Sequence, residues 1–317
     1  MSSAKFRILC KALIVFSSIF YLQAQAANEL ILSDSFFPES IVSDNKKNVF
    51  VSSIATGEIG KISTKTGLYT TFINPGVNLN STGLYVDEKR NVLWSCAVDL
   101  SLQTPSELRA FSLKSGSLVA YYTLPDGGLC ADIDINDDAL YITDTLLSRI
   151  FKLTTPNKHS AEYGNLTLWS ADPILVGDAN AFLKINGLVV QKKGSKKFIY
   201  TTNYSTGQLF RIPFLKNGNA GPAEEMQTNI PLITPDGLRG LKCDQLVVAM
   251  NIGLLAKLKI DGNTATVKII SDTLDQPSSL TQINNNLWVS EGQILRFVGA
   301  DPTPPNTPFK IKRLSVK

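Results

Sequence analysis

Histidine is nearly missing from this chain: its 317 residues include one, His159. That scarcity excludes a multi-histidine metal centre. A serine–histidine–aspartate hydrolase would have to use His159, and no G-x-S-x-G turn accompanies it. Cysteine is also scarce, and Cys96, Cys130 and Cys243 match no metal-ligand spacing. No glycine-rich phosphate loop is present. Beyond the N-terminal segment no run is apolar enough to cross a bilayer, and no stretch repeats at the helical period. The net charge is only +4, and the lysines fall in scattered pairs such as Lys46-Lys47, Lys192-Lys193 and Lys196-Lys197. Those are solvated turn tips, not a nucleic-acid stripe, so nucleic acid is not an expected partner.

The N-terminus reads as a targeting segment. Lys5, Arg7 and Lys11 precede an apolar run from Ala12 to Leu22, and Ala24-Gln25-Ala26 is an A-x-A cleavage signal. Residues 1–26 are therefore expected to be a signal peptide, and 27–317 a single domain that is exported to the periplasm or secreted. Cys10 lies inside the leader and not at a lipoprotein site, so no membrane anchor is expected.

A repeat fills the rest of the chain. A turn cluster leads into an apolar strand, a short polar turn and a second apolar strand. The copies are PESIVSDNKKNVFVSS from Pro38, STGLYVDEKRNVLWSC from Ser81, CADIDINDDALYITD from Cys130, INGLVVQKKGSKKFIYTTN from Ile185, PDGLRGLKCDQLVVAMN from Pro235 and PSSLTQINNNLWVSE from Pro277. The copies recur about every 40–55 residues, and units of that length, each with room for four strands, predict an all-β fold: a six-bladed β-propeller of four-stranded blades. Blade six is assigned Ser279–Gln282, Leu287–Ser290 and Gln293–Phe297. Glu29–Asp34 (ELILSD) is expected to complete that blade as an outer strand, with Phe309–Leu314 a further strand candidate. Cys96 and Cys130 fall near one face of neighbouring blades. A disulfide there and a pair of buried thiols are both open.

The repeats differ chemically where each unit begins. Glu39, Asn186 and Asp236 offer two carboxylates and an amide carbonyl. Inner strands start at one face of the ring, so these oxygens should converge at the channel mouth. Hard divalent cations take such ligands, with water completing the shell. Each residue is also an ordinary turn former; the joint placement favours the metal. Asp144, Asn203, Asn251 and Glu291 form a second set, each ending a second strand, and the alternative role for each is bonding to a neighbouring blade.

The phrases FPES with Glu39, INGLVV with Asn186 and TPDGL with Asp236 resemble the senescence-marker protein and gluconolactonase family, also called regucalcin-like. YITDTLLSRIFKL and IYTTNYSTGQLFRI resemble its blade pattern, and the likeness runs from about Leu30 to Phe297. The resemblance implies one divalent metal ion held by Glu39, Asn186 and Asp236. Calcium is the expected ion, with zinc, magnesium and manganese as alternatives. It also implies Asp236 as the acid–base residue and a small lactone or ester as substrate. Where family members offer an arginine and an asparagine at the blade-three entrance, this chain has Leu129-Cys130-Ala131-Asp132. Asp132, Asp144 and Asn203 are the expected substrate contacts, and less polar lactones are expected to be preferred.

The expected function is therefore an exported, metal-dependent lactone or ester hydrolase. A non-enzymatic propeller that binds a ligand or protein is the rival. A metal-free propeller resembling strictosidine synthase-like proteins is third, and the ligand trio counts against it.

Overall fold

Short period-2 apolar runs joined by tight turns fold into strands that pair with their sequence neighbours. The computed structural model describes residues 28–154, 164–242 and 244–315. Residues 1–26, where a signal peptide is expected, His159 and Cys243 lie outside the described residues.

Strand β1 (Glu29–Ile31) precedes the first repeat. Blade one is β2 (Pro38–Ser43), β3 (Asn48–Ser53), β4 (Ile59–Ser63) and β5 (Tyr69–Ile73); blade two is β6 (Asn80–Asp87), β7 (Val92–Val98), β8 (Glu107–Ser112) and β9 (Leu118–Thr123). Blade three is β10 (Cys130–Asn136), β11 (Ala139–Asp144), β12 (Arg149–Thr154) and β13 (Leu166–Ser170); blade four is β14 (Ile185–Lys193), β15 (Lys196–Asn203), β16 (Leu209–Pro213) and β17 (Glu224–Thr228). Blade five is β18 (Pro235–Leu241), β19 (Gln245–Met250), β20 (Leu254–Asp261) and β21 (Thr264–Ser271). Blade six runs β22 (Pro277–Ile283), β23 (Asn286–Glu291), β24 (Lys310–Ser315) and then β1. Blades four and five share one eight-stranded sheet, joined by a short parallel seam that pairs Gln227 with Thr264 and Thr228 with Ala265. Divided at that seam, the sheets give six four-stranded blades. The inner strands close a ring, β2 against β6, β6 against β10, β10 against β14, β14 against β18, β18 against β22 and β22 against β2.

Each blade buries its faces against its neighbours, so the core is distributed. Six apolar clusters occur, one at each blade–blade interface. Large aromatics recur at one register of the second strand: Phe50, Trp94, Tyr141, Tyr200 and Trp288, with Val247 standing there in blade five. The Cys96–Cys130 pair is a disulfide between the β7 and β10 segments, with Cα atoms 5.4 Å apart, which settles the alternative in favour of the bridge.

ELILSD closes blade six as expected, with Leu30 opposite Ile311. One assignment in that blade needs correction. Gln293–Phe297 is not its third strand. Gln293 takes a left-handed conformation and Ile294–Phe297 form a short helix, α1. Arg296 on α1 is held by Asp275 at 2.7 Å and by Thr303 at 2.9 Å. The edge of β23 is taken by β24, whose Ile311 lies opposite Ser290. Residues between α1 and β24 are therefore an insertion on the ring face where the inner strands begin.

Candidate functional site

All six inner strands carry the same irregularity at their start. An extra residue is inserted between Pro38 and Ile41, Ser81 and Leu84, Cys130 and Ile133, Ile185 and Leu188, Pro235 and Leu238, and Pro277 and Ser279. A β-bulge of this kind bends the strand and re-aims a side chain. The residues set free at equivalent places are Glu39, Thr82, Ala131, Asn186, Asp236 and Ser278. Backbone approach at this level is close enough to require glycine: a Cβ on Gly187 would collide with the Asp236 carbonyl, and one on Gly83 with that of Ala131. The glycines thus bring successive blade entrances together.

Glu39, Asn186 and Asp236 meet at the floor of a cavity of about 430 Å³. Asn186 Nδ2 donates to Asp236 Oδ1 at 3.0 Å. Asn251 Nδ2 donates to Asp236 Oδ2 at 3.0 Å and to the Pro277 carbonyl at 3.0 Å. The Tyr204 hydroxyl donates to Asn251 Oδ1 at 2.7 Å, which fixes the orientation of that amide. No hydrogen bond from a described residue reaches the Glu39 carboxylate.

Directly below lies an ion pair. Arg239 donates to Asp132 Oδ2 at 2.6 Å and to Oδ1 at 3.1 Å. The backbone N–H groups of Leu188 and Ile133 also donate to Asp132, at 2.9 Å each. Burial raises the Glu39 carboxyl well above the ordinary range, and the charges of Asp236 and Asp132 add to this, against the pull of Arg239. Burial likewise pushes Asp236 up to about 7, with the Asn251 hydrogen bond opposing it and the Asp132 charge adding to it. Burial drives Asp134, deeper in the channel, up to about 6 against the N–H groups of Val190 and Ile135. The floor therefore holds two buried carboxyl groups, both raised by burial and by neighbouring negative charge.

The structure brings the expected trio together, places Asp132 directly beside it, and sets Asp144 and Asn203 apart from the cavity. Asp132 stands one residue beyond the mouth position, where the other blades place Ser40, Gly83, Gly187, Gly237 and Ser279. It is a base for Arg239, and Ala131 holds the mouth in blade three. Asp144 is fully buried, accepts the N–H of Leu129 at 2.9 Å and binds Arg149 at 2.8 Å. Asn203 is fully buried too. Its Nδ2 donates to the carbonyls of Leu175 and Val176, and its Oδ1 accepts from Ser205 and Thr206. Both tie turns to neighbouring strands. Glu291 does the same, accepting from the Asp275 N–H at 2.8 Å and from Lys312 at 2.9 Å. Tyr204 and Arg239 are site residues that the sequence reading passed over. The repeat register gave a signal for Arg239, which lies three residues after Asp236.

Metal-free protein should lose stability as pH rises. A carboxyl with a raised folded pKa keeps its proton in the native state where the unfolded chain has lost it. Stability is full below about pH 4 and falls as pH climbs toward the folded value near 7. Asp236→Asn should remove much of this fall. Urea titrations at pH 5 and pH 8 in chelator check it: parallel pH dependences for both proteins would show that Asp236 does not carry the effect.

No family model matches the chain, and no curated protein matches it. Solved structures do. The virginiamycin B lyase of Staphylococcus aureus is 16% identical over 91% of this chain and 88% of its own, with a TM-score of 0.57. The Malassezia sympodialis allergen Mala s 1 is 12% identical over 90% and 96%, with a TM-score of 0.64. A glucose dehydrogenase-like protein of Thermus thermophilus is 14% identical over 90% and 99%, with a TM-score of 0.60. A catalytically inactive form of the lyase carries a histidine-to-alanine change; the one histidine here lies between β12 and β13, outside the described residues. At these identities the likeness establishes the fold alone. The regucalcin-like family is not established by it; the chain has the architecture of the β-propellers.

Proposed function

We propose that this protein is an exported, divalent-metal-dependent hydrolase of a lactone or related ester, with residues 1–26 removed on export. The observation that carries the reading is the meeting of Glu39, Asn186 and Asp236 at the floor of one cavity. Two carboxylates and an amide oxygen suit a hard cation, with calcium favoured and zinc, magnesium or manganese as alternatives. The two carboxyls, raised by burial and by neighbouring negative charge, are a donor set that such an ion would relieve. When bound, the ion would polarise the ester carbonyl and offset the charge that develops on its oxygen. Asp236 takes the proton of the attacking water, held in place by Asn186 and Asn251, while Tyr204 keeps Asn251 from turning over.

Metal binding is checked first. Calcium, magnesium, manganese and zinc are titrated into chelator-treated protein, with heat and melting temperature as readouts. An ion at 100 times its Kd should stabilise the fold by about 2.7 kcal/mol. Glu39→Gln should weaken binding more than any rim substitution. If none of the four ions raises the melting temperature of the wild type, the metal reading is abandoned. A ligand-binding propeller without catalysis is the second reading. Ala131, in place of a polar group at the blade-three mouth, is the feature that favours it.

A further inference from the structure

The cavity has a polar floor and walls of another kind. Leu129, Cys130 of the Cys96–Cys130 disulfide, Leu100, Ile54, Leu183 and Ile294 line it. Four wall residues carry hydroxyl groups; three already give up their hydrogen within the protein, and the fourth already accepts one. Thr82 donates to the Cys130 carbonyl at 2.9 Å, Tyr204 to Asn251 at 2.7 Å and Ser205 to Asn203 at 2.9 Å. Thr145 Oγ1 accepts the Lys184 N–H at 3.3 Å. With so few free polar sites beyond the floor, a polyhydroxylated ring would leave most of its hydroxyls unpaired against the apolar walls, and unpaired buried polar groups are costly.

The rim extends the same chemistry outward. Phe182, from the connection between blades three and four, is 53% exposed, and Val298, just after α1, is 60% exposed; both line the cavity. The Phe182 segment is anchored, because Lys184 Nζ donates to the carbonyls of Leu146 at 3.0 Å and Ala181 at 2.8 Å. Two large apolar side chains held open to water at a cavity mouth are accounted for by an apolar body that covers them. The two carboxyls at the floor disfavour an anionic head.

The geometry points to an amphipathic ligand: an uncharged carbonyl head at the Glu39–Asn186–Asp236 floor and an unbranched aliphatic chain along the disulfide wall toward Phe182 and Val298. As a statement about substrate this rests on the hydrolase reading, and as a statement about ligand class it does not. The volume of about 430 Å³ lies at the small-molecule end of ligand sites.

The test uses two matched series on the metal-loaded full chain. One is γ-lactones with alkyl tails of increasing length, with gluconolactone as the hydroxylated comparison, read as kcat/KM. The other is the corresponding γ-lactams, read as equilibrium binding. Both should strengthen by about fourfold per added methylene until the chain outgrows the walls. Gluconolactone should be the poorest substrate. Phe182→Ser and Val298→Asp, at exposed positions that the fold does not depend on, should each flatten the slope. Lactams that bind with this slope while no lactone is hydrolysed would support the ligand class and end the hydrolase reading. Lactones turned over without dependence on chain length, or with gluconolactone preferred, would overturn the inference and keep the hydrolase. Slopes unchanged in both variants would overturn the wall assignment, and the absence of both binding and turnover would overturn both.

Discussion

Asp236→Asn should reduce turnover of a hydrolysable lactone by about 10²–10⁴ while metal affinity falls far less. The substitution keeps an oxygen that can ligate and an amide the size of the carboxyl, but removes the proton acceptor. Both Asp236 oxygens accept an amide N–H, from Asn186 and Asn251 at 3.0 Å each, so the new amide keeps its oxygen toward Asn251, which Tyr204 and the Pro277 carbonyl hold in place, and Asn186 must turn over to accept from the new NH2. The same variant should be more stable than wild type in chelator at pH 8, since it removes a buried carboxyl pushed up to about 7 by burial. An inactive but stabilised protein separates loss of chemistry from loss of fold. Single-turnover kinetics on metal-saturated protein is the measurement. If wild type hydrolyses no member of a broad lactone and aryl-ester panel above the variant, the binding-module reading takes its place.

Arg239→Met should destabilise the protein by about 3–5 kcal/mol, the cost of leaving a buried charge without its partner. Asp132 is 5% exposed and takes both Arg239 nitrogens and two backbone N–H groups. Removing the guanidinium strands that carboxylate beneath Glu39 and Asp236 and adds to the repulsion at the floor. Pairing the change with Asp132→Asn should recover a large part of the loss, so the double variant should be more stable than the sum of the single changes implies. Urea denaturation of the four proteins closes the cycle. Additive effects within about 0.5 kcal/mol would show that the pair acts independently and does not support the floor.

The propeller was legible because each blade repeats local instructions: an apolar strand, a tight polar turn and a second apolar strand, with an aromatic on that second strand in every blade but the fifth. The trio was legible for the same reason, since Glu39, Asn186 and Asp236 stand at one repeat position. Asp132 stands one residue past the mouth position. In Cys130-Ala131-Asp132 the polar group draws the eye, yet the bulge places Ala131 level with Glu39 and sends Asp132 down to Arg239. Tyr204 with Asn251, and Arg239 with Asp132, are partners across blades, and strand period says nothing about which side chains from distant repeats will meet. The α1 insertion was hidden because Gln293–Phe297 is a short, mostly apolar run that a strand could equally use; only the competition of Lys310–Ser315 for the β23 edge decides against it.

The pairing of β1 with β24 also sets an order of events. A chain made from its N-terminus completes blades one to five in sequence, each from residues already present. Glu29–Ile31, among the first of these to be made, has no partner until Lys310–Ser315, among the last, emerges. Until then β23 offers an unpaired edge to any other extended segment, the exposure that sheet proteins otherwise guard against. Loss of the final strand would therefore leave a ring that had reached full circumference and could not lock, with its first strand and its open edge both available to a second chain.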